Sequence, residues 1–311
     1  MMSRRWTLGL LVIVAGATIT TITAQQTAPA RIVLIAGRPS HGPGLHEFRA
    51  GSMLLQKALS DYPGVTVDVI SGGWPTKPAG EGVVDDHAAL DGAAAIFIYA
   101  DGGKGHPALQ GDRPKVLDAL AAKGVGLGFG HYGVEVPVGA PGEAMHRWAG
   151  GFYETNYSVN PMWSPEFTRF PSHPVTRGVA PFSNRDEWYF NMRWPSDEAH
   201  KARITPLLIA APSDAVRAGP YVSPRGPYAH IVADSGRTET MMWAYERPDG
   251  GRSFGFTGGH THTNWGDANQ RRIVLNALLW IAKMNVPPSG VVDRIVPSDL
   301  TVNLDPKGRP K

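Results

Sequence analysis

The sequence predicts an α/β fold with a mainly parallel central sheet. From residue 31 onward, short β-branched runs alternate with longer amphipathic segments, and this alternation is typical of βαβ units. The composition supports a packed core, since 42% of the 311 residues are hydrophobic and 18% are charged, which excludes disorder throughout the chain. A chain of this length suffices for one large α/β domain or two small domains.

Four strands and two helices are predicted in the first half of the chain. The strand runs are mostly apolar, which is typical of strands covered on both faces. We predict strands at residues 31–36, 65–70, 94–99 and 125–129, and helices near residues 46–60 and at 112–123. Because ligands bind beyond the carboxyl ends of such strands, we expect the site in the loops that start at Gly37, Ser71, Asp101 and His131.

The second half predicts an insertion, further strands and a long helix. Residues 150–195 are rich in Trp, Pro, Tyr and Asn, and we interpret them as an insertion that covers the site. Strands are predicted at 205–210, 229–233, 240–245 and 253–257, the last three as an antiparallel meander. Asp267 is the predicted N-cap of a helix with an apolar stripe from Ile273 to Ile281. The main domain is predicted over residues 31–288, followed by an extended surface tail at 289–311.

The N-terminus has the order of a secretory signal peptide. Arg4 and Arg5 precede an apolar stretch, and small residues lead to Ala24. We therefore expect residues 1–24 to be removed on export to the periplasm or the cell exterior, with no membrane attachment afterwards. An uncleaved anchor is the alternative.

Charge and cysteine content exclude several classes of function. The chain has 30 Lys and Arg against 27 Asp and Glu, a formal charge of +3, and losing Arg4 and Arg5 leaves +1, so nothing favours nucleic acid binding. No cysteine is present, which excludes disulfides, thiolate metal sites and a thiol nucleophile. The glycines around Lys104 lack P-loop spacing, which argues against a nucleotide cofactor.

Four loops combine histidine with glycine. Glycine lets the backbone turn sharply while a neighbouring imidazole points into a cleft. His131 directly follows a predicted strand and lies between Gly130 and Gly133, as at a strand–turn–helix elbow; hydrogen bonding to loop backbone is the alternative role. The loops contain His41 with His46, His106, His131, and His260 with His262.

A divalent metal such as zinc is a predicted cofactor. If the strand from residue 253 continues through His260 and His262, both point to one face, and His131 supplies a third imidazole, the number that a zinc site normally needs. The candidate oxygen ligands are the carboxylates of Glu47, Asp101, Glu135 and Glu187.

Glu187 lies in the sequence Asp186-Glu187-Trp188-Tyr189. We interpret it as a carboxylate that orients a histidine or acts as a base, with a solvated turn as the alternative. The loops are also rich in tryptophan, whose rings can stack on sugars, although packing in the core is the commoner role.

Five segments, in this order, resemble ThuA-like (trehalose utilisation) domain proteins: residues 37–42, 99–103, 130–137, 186–189 and 254–260. The resemblance runs from about residue 31 to residue 288. It implies a flavodoxin-like three-layer sandwich of the class I glutamine amidotransferase-like superfamily, and a role in disaccharide use that includes the processing of 3-keto sugars.

The resemblance also implies roles for individual residues. Amidotransferases carry cysteine at the elbow, where this chain has His131, and a later histidine that matches His260, with His262 in place of their glutamate. A neutral imidazole cannot replace an activated thiolate, so glutaminase chemistry is excluded. We expect His131, His260 and Glu187 to be catalytic, and His41, Asp101, Tyr132, Trp188 and Trp265 to bind substrate.

The predicted function is therefore action on a small-molecule carbohydrate, by hydrolysis or by elimination and hydration of a (keto-)glycoside. The carbonyl of a keto-sugar acidifies the neighbouring C–H, so histidine acid/base or metal-assisted chemistry can drive such a reaction. The alternatives are a non-catalytic carbohydrate-binding or accessory module and a scaffold whose aromatic insertion contacts a partner. A homo-oligomer is left open.

Overall fold

A computed structural model describes residues 28–307 of the chain, so the predicted signal peptide at residues 1–24 lies outside the described residues. The strands are β1 (Ala30–Ala36), β2 (Val65–Ser71), β3 (Thr76–Ala79), β4 (Gly82–Asp85), β5 (Ala93–Tyr99), β6 (Gly126–Gly130), β7 (Met162–Trp163), β8 (Asp186–Glu187), β9 (Ile204–Ala210), β10 (Glu239–Glu246) and β11 (Arg252–Phe256). The α-helices are α1 (Phe48–Leu59), α2 (Arg113–Ala122), α3 (Ala140–Ala149), α4 (Glu198–Lys201), α5 (Asp214–Ala218), α6 (Ala229–Ala233) and α7 (Ala268–Ile281).

Seven strands form the central sheet in the order β2-β1-β5-β6-β11-β10-β9. The first five strands in this order pair in parallel, whereas β10 is antiparallel to both β9 and β11. The predicted mainly parallel sheet is confirmed. Its parallel strands all end at one edge, where the loops that follow β1, β5, β6 and β11 come together.

Helices cover both faces of the sheet and make three layers. Leu55 of α1 and Ile273 of α7 belong to the apolar core on one face, and Leu117 of α2 and Trp148 of α3 belong to the core on the other face. Asp267 caps α7 as predicted, because its carboxylate accepts the backbone N–H groups of the second and third residues after it at 2.8 and 3.0 Å. The flavodoxin-like sandwich is confirmed.

One predicted strand is wrong. Residues 229–233 form helix α6, in which only Ile231 is buried, so the segment has no alternating face to place on a sheet. A five-residue apolar run does not by itself distinguish a strand from a helical turn. The antiparallel meander is formed by β9, β10 and β11 instead.

The insertion and the C-terminal tail have little regular structure. Residues 150–195 contain the short β7–β8 pair and isolated bridges such as that between Val159 and Phe190. The tail contains a 3₁₀ turn, Pro297–Thr301, and contacts α1, where Lys57 Nζ lies 2.6 Å from Asp299 Oδ1. Within residues 28–307, no helix combines the length and hydrophobicity needed to cross a bilayer.

Candidate metal centre

Three histidines and one glutamate meet at the carboxyl edge of the sheet. His46 lies in the loop after β1, His131 directly follows β6, His260 lies in the loop after β11, and Glu187 is in β8 of the insertion. All four side chains are buried. His46 Nε2 lies 2.9 Å from His260 Nδ1 and 3.0 Å from His131 Nε2, and His131 Nε2 lies 3.2 Å from His260 Nδ1. Glu187 Oε2 is 2.7 Å from His260 Nδ1 and 3.9 Å from His131 Nε2.

Two of these imidazoles have lone pairs that face each other. His46 Nδ1 lies 2.9 Å from Asp101 Oδ1, and His131 Nδ1 lies 2.9 Å from the carbonyl oxygen of Thr257. A carboxylate or a carbonyl can only accept a hydrogen bond, so the Nδ1 atom of each ring carries the proton. In a neutral ring the Nε2 atom then has a lone pair and no proton. The two Nε2 atoms are nevertheless in contact, which is repulsive unless a positive charge lies between them.

One proton does not satisfy the whole group. If His260 Nδ1 carries a hydrogen, it can donate it fully to only one of its three close neighbours, which are two imidazole nitrogens and the Glu187 carboxylate. The Tyr189 hydroxyl lies 3.3 Å from His131 Nε2 and can donate one further hydrogen bond. The contact between the two Nε2 atoms stays without a proton in either case.

A divalent cation fits these four atoms. They all lie within 4.8 Å of one another, and in a tetrahedral zinc site with Zn–N distances of about 2.0–2.1 Å the ligand nitrogens are about 3.3 Å apart. Asp101 and the Thr257 carbonyl would be the outer partners that orient two of the ligands, as is usual for metal-binding histidines. Burial, with smaller effects from the neighbouring histidines, holds the pKa of His46 and of His131 far below the ordinary value, so both rings are neutral and available as ligands.

Left-handed backbone conformations shape the loops that carry these rings. His46 has φ +47° and His131 has φ +49°, a region that residues with a Cβ adopt at a cost. His46 N also donates to the carbonyl oxygen of His260 at 2.9 Å, so the loop after β1 and the loop after β11 are joined at the centre. His41, with φ +58°, places its ring 3.6 Å from that of His46.

The structure brings most of the predicted residues to this edge of the sheet. His131, His260 and Glu187 belong to the centre, and Asp101 holds His46. His41 is exposed, and Tyr132 is half-buried, with its ring 6.0 Å from that of His46. Ser40 Oγ donates to Asp101 Oδ1 at 2.9 Å, which further orients this carboxylate.

Three predicted residues are not brought into the centre. His262 does not share a face with His260, because β11 ends at Phe256 and the chain turns at Gly259, where φ is +103°. The rings of Trp188 and Trp265 are completely buried in the core, so neither offers a face on which a sugar could stack in this structure.

Sequence reasoning missed three groups that lie around the centre. His46 is the central omission; its signal was a second histidine, next to Glu47, in the loop after the first strand. Asn160 Nδ2 donates to Glu187 Oε1 at 2.7 Å, and Tyr189 contacts His131. Glu135, one of the predicted oxygen ligands, lies outside the group of four and accepts a hydrogen bond from Thr155 Oγ1 at 2.9 Å. No local pattern assigned Asn160 or Tyr189 to the site.

A second acidic group nearby is satisfied without a cation. His87 Nδ1 accepts the indole N–H of Trp74 at 3.1 Å, so its proton is on Nε2, which lies 3.3 Å from Asp112 Oδ1. Asp85 accepts two hydrogen bonds of 2.7 Å from Arg113. In this group every donor has an acceptor, unlike the four atoms of the candidate metal centre.

Comparison with known families agrees with this architecture. A family model described as "ThuA: Trehalose utilisation" matches residues 83–281, more than half of the chain. The chain belongs to the ThuA family. Membership of this family indicates a carbohydrate-related role, and the family match contains three members of the centre, His131, Glu187 and His260, but not His46.

One solved structure shows the same fold. A ThuA-like protein from Bacteroides uniformis superposes with a TM-score of 0.55 at 14% identity, over 86% of this chain and 98% of that chain. PurLQS from Thermotoga maritima gives a TM-score of 0.42 at 12% identity, over 82% of this chain and 99% of that chain. No curated protein matches the sequence.

Proposed function

We propose that this ThuA protein is a metal-dependent enzyme acting on carbohydrates, with His46, His131, His260 and Glu187 as the ligands of a divalent cation such as zinc. The observation that carries the proposal is the contact of 3.0 Å between two Nε2 atoms whose protons are both held on Nδ1. A buried cation removes this repulsion and pairs the four atoms at once.

The proposed reaction is hydrolysis, or elimination and hydration, of a (keto-)glycoside. The family description supports a sugar substrate. A divalent cation held by these four side chains would have to take a carbonyl oxygen of the substrate as a fifth ligand. It would then polarise that oxygen and favour loss of the neighbouring proton.

Glu135 is suited to move that proton. Burial, as the largest effect, raises its pKa to about 7, so the carboxyl group can give up and regain a proton near neutral pH. Thr155 Oγ1 donates to Oε1, and no hydrogen bond among residues 28–307 reaches Oε2, which is left available for proton transfer. Glutaminase chemistry is not proposed, because the elbow residue is His131 and the chain has no thiol.

Elemental analysis of tag-free protein tests the proposal. We expect close to one zinc or similar ion per chain in the wild type and a clear loss in His131→Ala and in His260→Ala, with the far-UV circular dichroism unchanged. Wild-type protein that holds no divalent metal under replete conditions would sink the metal centre. If the metal is present, turnover of 3-keto-glycosides is measured next, and sugar binding without turnover would favour an accessory role.

We further propose that the protein acts after export, on the strength of the charged, apolar and small-residue order of residues 1–24. Intact-mass analysis of protein recovered from outside the cytoplasm tests this. A mass that begins just after Ala24 is expected, and a mass that retains Arg4 and Arg5 contradicts cleavage.

A further inference from the structure

A cleft of about 690 Å³ lies beside the metal centre. It runs along the carboxyl ends of β2, β1 and β5, and its walls include Gly37, Gly72, Ala100 and Asp101. The chain leaves β1 toward β2 on one side and later reaches β5 on the other, so the cleft contains the switch point at which open α/β sheets bind ligands. Its volume lies within the usual range for small-molecule sites.

The cleft and the metal centre share Asp101. Oδ1 of this residue faces the centre, since it contacts His46 Nδ1 at 2.9 Å, whereas no hydrogen bond within residues 28–307 reaches its Oδ2. The Asp101 carboxylate and the His46 imidazole therefore lie between the cleft and the centre. The cleft and the candidate metal centre therefore lie next to each other at the same edge of the sheet.

Free donors and acceptors occur together in the wall of the cleft. Arg38 Nε donates to the carbonyl oxygen of Gly72 at 3.3 Å, and its two terminal nitrogens have no partner among the described residues. Gln110 Nε2 donates to Lys104 O at 2.8 Å and to His106 O at 3.0 Å, which leaves Oε1 as an acceptor. Hydroxyl groups both donate and accept, so this mixture suits a ligand rich in hydroxyls.

The charges in the wall balance and do not favour an anion. The guanidinium of Arg113 is paired with Asp85 through two hydrogen bonds of 2.7 Å, and the wall also contains one positive charge, on Arg38, and one negative charge, on Asp101. Apolar side chains, among them Pro75, Val83 and Pro107, provide surface for the C–H groups of a sugar ring.

We propose that this cleft is a subsite for a neutral sugar unit. A glycosidic bond joins this unit to the sugar that reacts at the metal centre. The inference rests on the proposed function for the identity of the reacting sugar. It assigns Arg38 and Gln110 to recognition of the second unit, so disaccharides are bound in preference to monosaccharides.

Calorimetric titration of the zinc-loaded protein with trehalose and with glucose tests the subsite. We expect Arg38→Ala and Gln110→Ala each to weaken trehalose binding by about 2- to 10-fold, the effect of losing one hydrogen bond. Thr76→Trp, which puts an indole into the cleft from the exposed strand β3, is expected to weaken it by more than about 10-fold. Zinc content stays unchanged in all three variants, and trehalose affinity falls more than glucose affinity.

Arg147→Ala is the matched control, since Arg147 is an exposed arginine of α3 that pairs with Asp118 outside the cleft. Unchanged trehalose binding in all three cleft variants, or an equal loss in Arg147→Ala, overturns the subsite. Wild-type protein that binds neither sugar also overturns it, whereas zinc content and keto-glycoside turnover judge the proposed function separately.

Discussion

Single histidines determine the chemistry of the centre through their backbone conformation. His41, His46 and His131 all have positive φ, and for residues other than glycine this costs about 1–2 kcal/mol each. Such strain is found mainly at functional sites, where the surrounding structure maintains it. At His46 and His131 it accompanies the contact between the two Nε2 atoms on which the metal proposal rests.

The first prediction compares His46, which the structure places among the candidate ligands, with His262, which the sequence predicted as a ligand. His46→Ala removes one of three imidazole ligands, so we expect zinc affinity to fall at least about 100-fold, more than is usual for loss of an outer partner. His262→Ala is expected to keep near-stoichiometric zinc, because His262 lies outside the cluster. Competition with a chromogenic chelator measures both affinities, and an equal loss in the two variants contradicts the assignment.

The second prediction concerns pH and His106, whose ring is buried between the carbonyl of Gly133 and the N–H of Ala108. Burial lowers its pKa to about 4. Between pH 4 and about pH 6.5 the unfolded chain binds more protons than the folded chain. The contribution of the neutral, buried His106 ring to the free energy of unfolding is therefore complete above pH 6.5 and is lost as the pH falls toward 4.

Urea unfolding of the metal-free protein at pH 7.5 and at pH 5.0 measures the effect of His106. Since one pKa unit corresponds to about 1.4 kcal/mol, we expect the wild type to lose roughly 1–2 kcal/mol more than His106→Gln between the two pH values. The glutamine cannot titrate but retains a donor and an acceptor. Equal losses in the two proteins would show that His106 is not the titrating group.

At the scale of elements, the C-terminal tail holds the loop that carries His46. Lys307 Nζ donates to the carbonyl oxygens of Leu45 and of His46, the latter at 3.1 Å, and lies 3.3 Å from Glu47 Oε1. Glu47 Oε2 accepts the N–H of Asp305 at 2.8 Å. The Lys307 and Glu47 side chains are only 4% and 1% exposed, so this ion pair is shielded from water.

The third prediction follows from this buried pair. Lys307→Met leaves the Glu47 carboxylate without its cation, which costs about 3–5 kcal/mol when one partner of a buried pair is removed. We expect a lower melting temperature and weaker zinc binding, since the loop with His46 is released. Circular dichroism melting and chelator competition give the two measurements.

Two further variants make this test specific. Arg294→Ala changes another cation of the same tail, but its side chain is 88% exposed and lies 3.4 Å from Asp61, so an effect below about 1 kcal/mol is expected. Glu47→Gln combined with Lys307→Met removes both charges and should recover part of the lost stability. A double variant as unstable as Lys307→Met alone would argue against the ion pair.

At the scale of the whole molecule, the parallel sheet assembles the centre from distant parts of the chain. His46 and His131 are 85 residues apart, and His46 and His260 are 214 residues apart. Because β1, β6 and β11 run in the same direction, the loops at their carboxyl ends meet at one edge. The insertion then adds Glu187. The centre therefore exists only in the folded chain.

The fourth prediction follows from this dependence on folding. A cation that binds the folded chain alone stabilises it by about 2.7 kcal/mol when present at 100 times its Kd, which is a rise in melting temperature of several degrees for a domain of this size. Differential scanning calorimetry with and without zinc measures the rise. We expect no rise in His46→Ala, and a similar rise in that variant would place the bound zinc elsewhere.

Local patterns in the sequence determined most of the fold. The buried runs at residues 31–36, 94–99 and 253–257 correspond to β1, β5 and β11, and Asp267 begins α7 as the capping rule requires. These features depend on side-chain period and on hydrogen bonds within a few residues. The position of His131 at a strand end was determined in the same way, because it needs only the end of one buried run.

Only the tertiary structure decided which side chains meet. It placed His46 in the centre, kept His262 out of it, buried the rings of Trp188 and Trp265, and made residues 229–233 helical. The direction of a ring in a loop depends on the φ and ψ of each loop residue and on contacts with segments far away in sequence. Spacing along the chain gives the direction of a side chain only while a strand continues, and β11 ends at Phe256, before His260. Strand period and helix capping are local, so the sequence by itself predicts them.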